Sequence, residues 1–226
     1  MERKVLILDS GTIINLAMNG LLYLIKELKE NSNVSFLITK QVEYETIDRP
    51  VGVPRFELEA LRVKNLLESN FLEKPKNFGI SQDQINKKTK ELMDIANHSI
   101  FARNKWIKLV SDAEMSCLAL SSLLNEKKIE NIIAIDERTT RLLAEKPSNL
   151  EKLMSKKLHF HVKIQTDKFN VFKNFKIIRS TEIVFVAHKK GLLRIKGPKA
   201  LEAALFATKF KGSSVSFDEI TALKKL

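Results

Sequence analysis

The chain has 226 residues, of which 44% are hydrophobic, and a formal net charge of +12. That apolar fraction supports a packed core and excludes a disordered chain, while only seven glycines and five prolines exclude collagen-like and low-complexity architectures. The charge is uneven: residues 1–150 carry 22 Lys and Arg against 21 Asp and Glu, whereas residues 151–226 carry 17 against 6, which points to a face that meets a polyanion.

The opening Met1-Glu2-Arg3-Lys4 is followed by only four apolar residues before Asp9, so no signal peptide is expected. No apolar run approaches the ~18 residues of a membrane span, and a single cysteine, Cys117, cannot close an internal disulfide. These features place the protein in the cytoplasm, away from membranes. Val5 to Leu8 is a short continuous apolar run, as in a strand buried on both faces, and Asp9-Ser10-Gly11-Thr12 turns it into a helix. Val34 to Ile38 is a second strand, followed by a helix from Val42 to Ile47. Arg55 to Leu72 reads as an amphipathic helix, and the Ser81–Gln84 capping box starts another that runs to about Phe101. Asn131 to Ile135 is a further buried strand, closed by Asp136, with a helix over Arg138–Ala144. Phe160–Ile164 and Phe175–Ile178 are later strand candidates. A helix over Thr181–Lys190, capped by Gly191, and another over Ala200–Ala207 follow.

The β-α-β-α alternation predicts an α/β fold: an open, mostly parallel sheet flanked by helices, with a helical carboxyl-terminal elaboration. No linker divides the chain, so residues 1–226 are expected to be one domain, with the basic part 151–226 integral to it.

In open α/β sheets the functional crevice lies beyond the carboxyl ends of the strands. Asp9 and Asp136 each close a strand there, Glu45 lies one turn into the helix after the second strand, and Glu114 opens the helix Glu114–Leu120. Each has an ordinary alternative. Asp9 and Asp136 suit helix N-caps, Ser111-Asp112-Ala113-Glu114 is a capping box, and Glu45 suits a solvated helix face. Packed together, however, carboxylates repel, and a cluster of acidic oxygens without thiols suits a hard cation such as Mg2+ or Mn2+. Cys117 reads as core, Trp106 as packing beside Ile107 and Leu109, and His159 and His161 as an exposed or satisfied pair on one strand face.

In order along the chain, Leu6-Ile7-Leu8-Asp9-Ser10, Thr39-Lys40-Gln41-Val42-Glu43-Tyr44-Glu45, Ala113-Glu114-Met115-Ser116 and Ile135-Asp136-Glu137-Arg138-Thr139 resemble the four acidic motifs of the PIN-domain family. The likeness is to the prokaryotic and archaeal group related to toxin ribonucleases of toxin–antitoxin pairs. Glu137 stands where a second Asp is often seen, and Arg179-Ser180 replaces a usual Gly-Thr. The resemblance implies a PIN-like fold and a metal-dependent endoribonuclease whose Mg2+ or Mn2+ is held by Asp9, Glu45, Glu114 and Asp136. Ser10, Asp112 and Glu137 would support these ligands, and Arg138, Lys189, Lys190 and Arg194 would hold the RNA backbone. RNA is the expected partner. The resemblance leaves room for a homodimer and for an antitoxin-like protein partner. A non-catalytic RNA-binding or ribosome-associated PIN module and a DNA-directed nuclease are the competing expectations.

Overall fold

The computed structural model describes residues 4–102 and 104–226; Met1-Glu2-Arg3, on which part of the signal-peptide expectation falls, lie outside them. In chain order, β1 (Lys4–Leu8) feeds α1 (Ser10–Met18) and α2 (Tyr23–Glu30). β2 (Val34–Leu37) leads into α3 (Lys40–Glu43), which continues without a break as a π-helical turn, Tyr44–Asp48. Then come α4 (Glu57–Glu68), β3 (Leu72–Glu73), a 3-10 turn at Pro75–Phe78 and α5 (Gln82–Asn97). A hairpin of β4 (Phe101–Ala102) and β5 (Lys105–Trp106) precedes α6 (Asp112–Glu126), β6 (Asn131–Ala134), α7 (Arg138–Glu145) and α8 (Ser148–Leu158). A second 3-10 segment, Thr166–Phe172, leads to β7 (Ile177–Ile178), α9 (Ser180–Lys189), α10 (Ala200–Phe210) and α11 (Phe217–Lys225).

The main sheet has the order β3-β2-β1-β6-β7, with every neighbouring pair parallel. This is the open parallel α/β sheet with a helical carboxyl-terminal elaboration that the alternation predicts. β1 lies at its centre because Val5–Leu8 is apolar at every position, and such a strand is stable only where both faces are covered. α6 is buried along most of its length, from Ala113 through Ser121, and packs against β1, β6, α3 and α5. Its apolar surround explains why Cys117 is a core residue, donating its thiol to Leu8 O at 3.7 Å. Ser81 and Gln84 form the predicted capping box of α5, a device that contributes about 1 kcal/mol.

The differences from expectation have local causes. The helix expected to reach Leu72 stops at Glu68: Asn70 takes a left-handed φ of 58°, Phe71 N bonds back to Leu66 O, and Leu72 is free to pair with Phe36 as β3. The helix expected to reach Phe101 ends at Asn97, and Phe101 joins β4. Phe160–Ile164 forms no strand. His159 ends α8 with a φ of 58°, and the donors that a ladder would use go to α8 side chains, Val162 N to Ser155 Oγ and Ile164 N to Glu151 Oε2. The two histidines therefore share no strand face; His161 Nε2 lies 3.7 Å from Glu151. Among the described residues no helix is long and apolar enough to cross a membrane.

Candidate functional site

Adjacent parallel strands bring Asp9 and Asp136 to one edge of the sheet, since Leu8 pairs with Ala134 and Asp9 N donates to Ala134 O at 3.1 Å. Asp9 caps α1: its Oδ2 accepts from Gly11 N at 3.1 Å. Its other oxygen, Oδ1, is buried and has no hydrogen-bond partner. Gly11 leaves room for this arrangement, as a Cβ there would lie 3.2 Å from Asp9 Oδ2.

Two glutamates approach from helices that the sheet topology brings together. Glu45 sits in the π turn, where one extra residue per turn shifts the side-chain phase of the helix, a feature that recurs at functional sites. Ser10 Oγ donates to Glu45 Oε2 at 2.7 Å and Gln41 Nε2 to Oε1 at 3.2 Å. Glu114 completes its capping box through Ser111 N at 2.9 Å, and the same Oε2 accepts from Thr140 Oγ1 at 2.8 Å. The cap expected for Glu114 is thus real, and the charge of Glu114 also reaches Asp9.

The electrostatics follow from this packing. Burial is the main cause that pushes the Asp9 carboxyl up to about 7; Glu114 and, more weakly, Glu45 add to it, outweighing the Gly11 and Ser10 N–H groups. Burial also raises Glu114, assisted by the charge of Glu137 and opposed by Ser111 and Thr140. The charges of Glu114 and Glu45 thus both act against ionisation of the buried Asp9.

Asp136 is differently placed. Its Oδ1 accepts from Ser180 N at 2.9 Å and Ser180 Oγ at 3.1 Å, and its Oδ2 from Asn15 Nδ2 at 3.0 Å. Asn15 also reaches Thr208 O at 2.9 Å, and Ser214 N donates to Asp136 O at 3.2 Å. The four carboxylates thus do not share one environment, because Asp136 spends both oxygens tying β6 to α1 and α9. Among the described residues no group of three His, Cys, Asp or Glu side chains forms a ready ligand set for one ion. What fits a cation is the Asp9 corner: a buried carboxylate oxygen without a partner, on a residue that feels the charges of Glu114 and Glu45. Hydrated Mg2+ commonly uses only one or two carboxylates and keeps several waters.

Of the expected supporting residues, Ser10 orients Glu45 as just described. Glu137 caps α7 through Thr140 N at 2.9 Å and acts on Glu114 by its charge. Asp112 is exposed and pairs with Lys108 at 3.3 Å, with no contact to the acidic group. Sequence reasoning missed Thr140, Gln41, Asn15 and Ser180. Two of them carried a signal: the polar Asn15 inside an apolar helix, and Ser180 in the Arg179-Ser180 pair that departs from Gly-Thr. The four expected RNA-holding cations lie apart. Arg138 lines a cleft with Arg141 and Lys209. Lys189 bonds Leu226 O at 2.5 Å and lies over the Phe185 ring. Arg194 stacks on Tyr23, 4.1 Å from the ring centroid, and reaches Glu27 at 3.4 Å. Lys190 is exposed.

Comparison of the chain with family models, with curated proteins and with solved structures yields no match.

Proposed function

We propose that the protein is a metal-dependent ribonuclease of the PIN class, working in the cytoplasm, that hydrolyses phosphodiester bonds of RNA at the Asp9 corner. The observation that carries this reading is the unpartnered, buried Asp9 Oδ1 beside Glu45 and Glu114. A scaffold has no use for such a repulsive group, whereas a cation site does. Asp9 would hold Mg2+ or Mn2+, with Glu45 and Glu114 on its hydrated side. Bound there, the ion supplies charge to offset the scissile phosphate and to acidify water. The chain contributes orientation. Ser10 and Gln41 fix Glu45, the Ser111 N–H and Thr140 hydroxyl fix Glu114, and Gly11 keeps the Asp9 carboxylate in place. Asp136 serves by locking α1, and with it Ser10, against the sheet.

The hydrogen-bonded state of Asp136 favours the second reading, a non-catalytic RNA-binding or ribosome-associated module that keeps the fold. The experiment that separates the two is cleavage of a labelled RNA in Mn2+ by wild type and by Asp9→Asn. The ribonuclease reading expects cleavage abolished by EDTA and reduced more than about 100-fold in Asp9→Asn, a larger loss than outer-shell changes produce. Cleavage that persists in either case removes the mechanism.

A further inference from the structure

Beside the acidic corner, between α3 with its π turn and α5, runs an open groove of about 840 Å3. One wall is Lys40, Gln41 and Tyr44, the other is Gln82, Asn86 and Thr89 of α5, and Ser116 of α6 lies between them. Ser116 Oγ is fixed to Thr39 Oγ1 at 2.6 Å. Gln41 belongs to both sites, because the side chain that lines the groove also donates to Glu45.

The lining is not that of a phosphate track. Lys40 and Lys90 are outnumbered by Asp48, Asp94 and Asp112, whereas tracking a backbone needs several uncompensated cations. It consists mainly of amides, hydroxyls and carboxylates, the groups that pair with base edges. Part of this capacity is free. On α5, Gln82 Nε2 donates to Asn86 Oδ1 at 2.8 Å, while Asn97 uses Oδ1 for the Leu109 and Val110 N–H groups, at 2.8 and 3.4 Å; the Asn86 and Asn97 amide NH2 groups donate no bond among the described residues.

Aromatic surface stands at both ends. Tyr44 is 50% exposed in the π turn, next to Glu45. At the other end His98 lines the groove and meets the Trp106 ring edge-on at 5.2 Å. Trp106 in turn meets Phe101 at 5.0 Å, with the two rings 50% and 57% exposed. Burying these rings would offset the cost of leaving them in water, and stacked bases bury aromatic faces well. Trp106 is therefore a surface group and not the packing residue expected from its apolar neighbours.

We propose that this groove is a base-reading subsite for unpaired RNA: one base stacks on Tyr44 beside the acidic corner, the next edges pair with the α5 amides, and a further base meets Trp106 and His98. The proposal rests on the ribonuclease reading for its substrate class. Recognition of single-stranded RNA by stacking and base-edge bonds is the usual solution where bases are splayed out.

Trp106 is the sole tryptophan of the chain and touches His98 of the groove wall, so its emission reports on that end of the groove. The test titrates full-length protein in EDTA with a mixed-sequence RNA octamer and with the same octamer annealed into a duplex. The expected result is saturable quenching by the single-stranded RNA, with at least about tenfold weaker binding of the duplex, whose bases are already stacked and paired. Tyr44→Ala should weaken binding by about tenfold or more, as loss of a stacked base does, and Tyr44→Phe should restore it. Asn86→Ala should change which octamers are preferred. Tyr44 and Asn86 are exposed, and a melting curve checks that each variant is folded. No saturable quenching, equal affinity for the duplex, or an affinity unmoved in Tyr44→Ala overturns the proposal. Binding here needs no metal and should survive Asp9→Asn. Groove binding without any Mn2+-dependent cleavage therefore sinks the ribonuclease reading alone, and cleavage without groove binding sinks this one alone.

Discussion

Asp9 and Asp136 stand at the ends of neighbouring strands, are buried to 2% and 3% exposure, and precede helices, yet the molecule treats them in opposite ways. Around Asp136 the helices α1 and α9 bring donors, Asn15 and Ser180, so the charge is satisfied and the carboxylate works as a clamp. Around Asp9 the π turn and α6 bring Glu45 and Glu114, so burial is aggravated instead of relieved. A strand-end aspartate is thus only an address. Its electrostatics are set by what the crossing helices carry, and here that leaves one corner repulsive and makes the other a clamp.

The largest effect after the loss of cleavage in Asp9→Asn concerns stability and its pH dependence. The folded Asp9 carboxyl lies at about 7, above its ordinary value of 3.8, so the folded chain holds this proton more tightly than the unfolded chain. The penalty is absent below 3.8, grows between 3.8 and 7, and is full above 7. Asp9→Asn is therefore expected to stabilise the metal-free protein at pH 8 by up to about 4 kcal/mol, and by far less at pH 4.5. Mn2+ at ten times its Kd should raise the wild type by about 1.4 kcal/mol and leave Asp9→Asn unmoved. Thermal melts with EDTA and with Mn2+ at the two pH values check this, and a variant less stable at pH 8 would show that Asp9 is held by ordinary capping after all.

Asp136→Ala should act with the opposite sign. It strands the Ser180 N–H and one Asn15 bond in a buried place, a loss of about 2–3 kcal/mol, or roughly 4–12 °C in Tm for a chain of this size. Residual cleavage by the still-folded fraction is the expected companion result. A variant with unchanged Tm and no cleavage would make Asp136 a ligand and erase the contrast between the two corners.

Much of this was legible in the sequence. The apolar runs at Val5–Leu8 and Asn131–Ile135 have only one stable destination, the covered middle of a parallel sheet, and the capping boxes at Ser81 and Ser111 announce their helices. The acidic group was legible as a set of positions, because strand ends and helix starts are local features. What could not be read was pairing across the fold. Asn15 and Ser180 lie 121 and 44 residues from Asp136, and no local pattern couples them. The aromatic end of the groove was hidden for the same reason: Trp106 beside Ile107 and Leu109 looks like core until β4 and β5 pair and turn its ring outward.

The smallest effect concerns the basic carboxyl-terminal part, which sits on the scaffolding side of the contrast. Seventeen Lys and Arg against six acids suggest a surface for the RNA backbone, but charge counts ignore what each cation already touches. Lys189 is committed to Leu226 O and Phe185, and Arg194 to Tyr23 and Glu27, so of the three only Lys190 has no intramolecular partner among the described residues. For single-stranded nucleic acid each phosphate contact adds about −0.7 to the slope of log K against log salt. Replacing Lys189, Lys190 and Arg194 together by Gln should therefore flatten that slope by no more than about 0.7, the share of one contact, as measured by fluorescence anisotropy in Ca2+ at several salt concentrations. A change near 2 would mean that all three cations release their own partners to hold phosphate. The backbone would then run over the scaffolding side, and the Asp136 corner would be part of the RNA-binding surface.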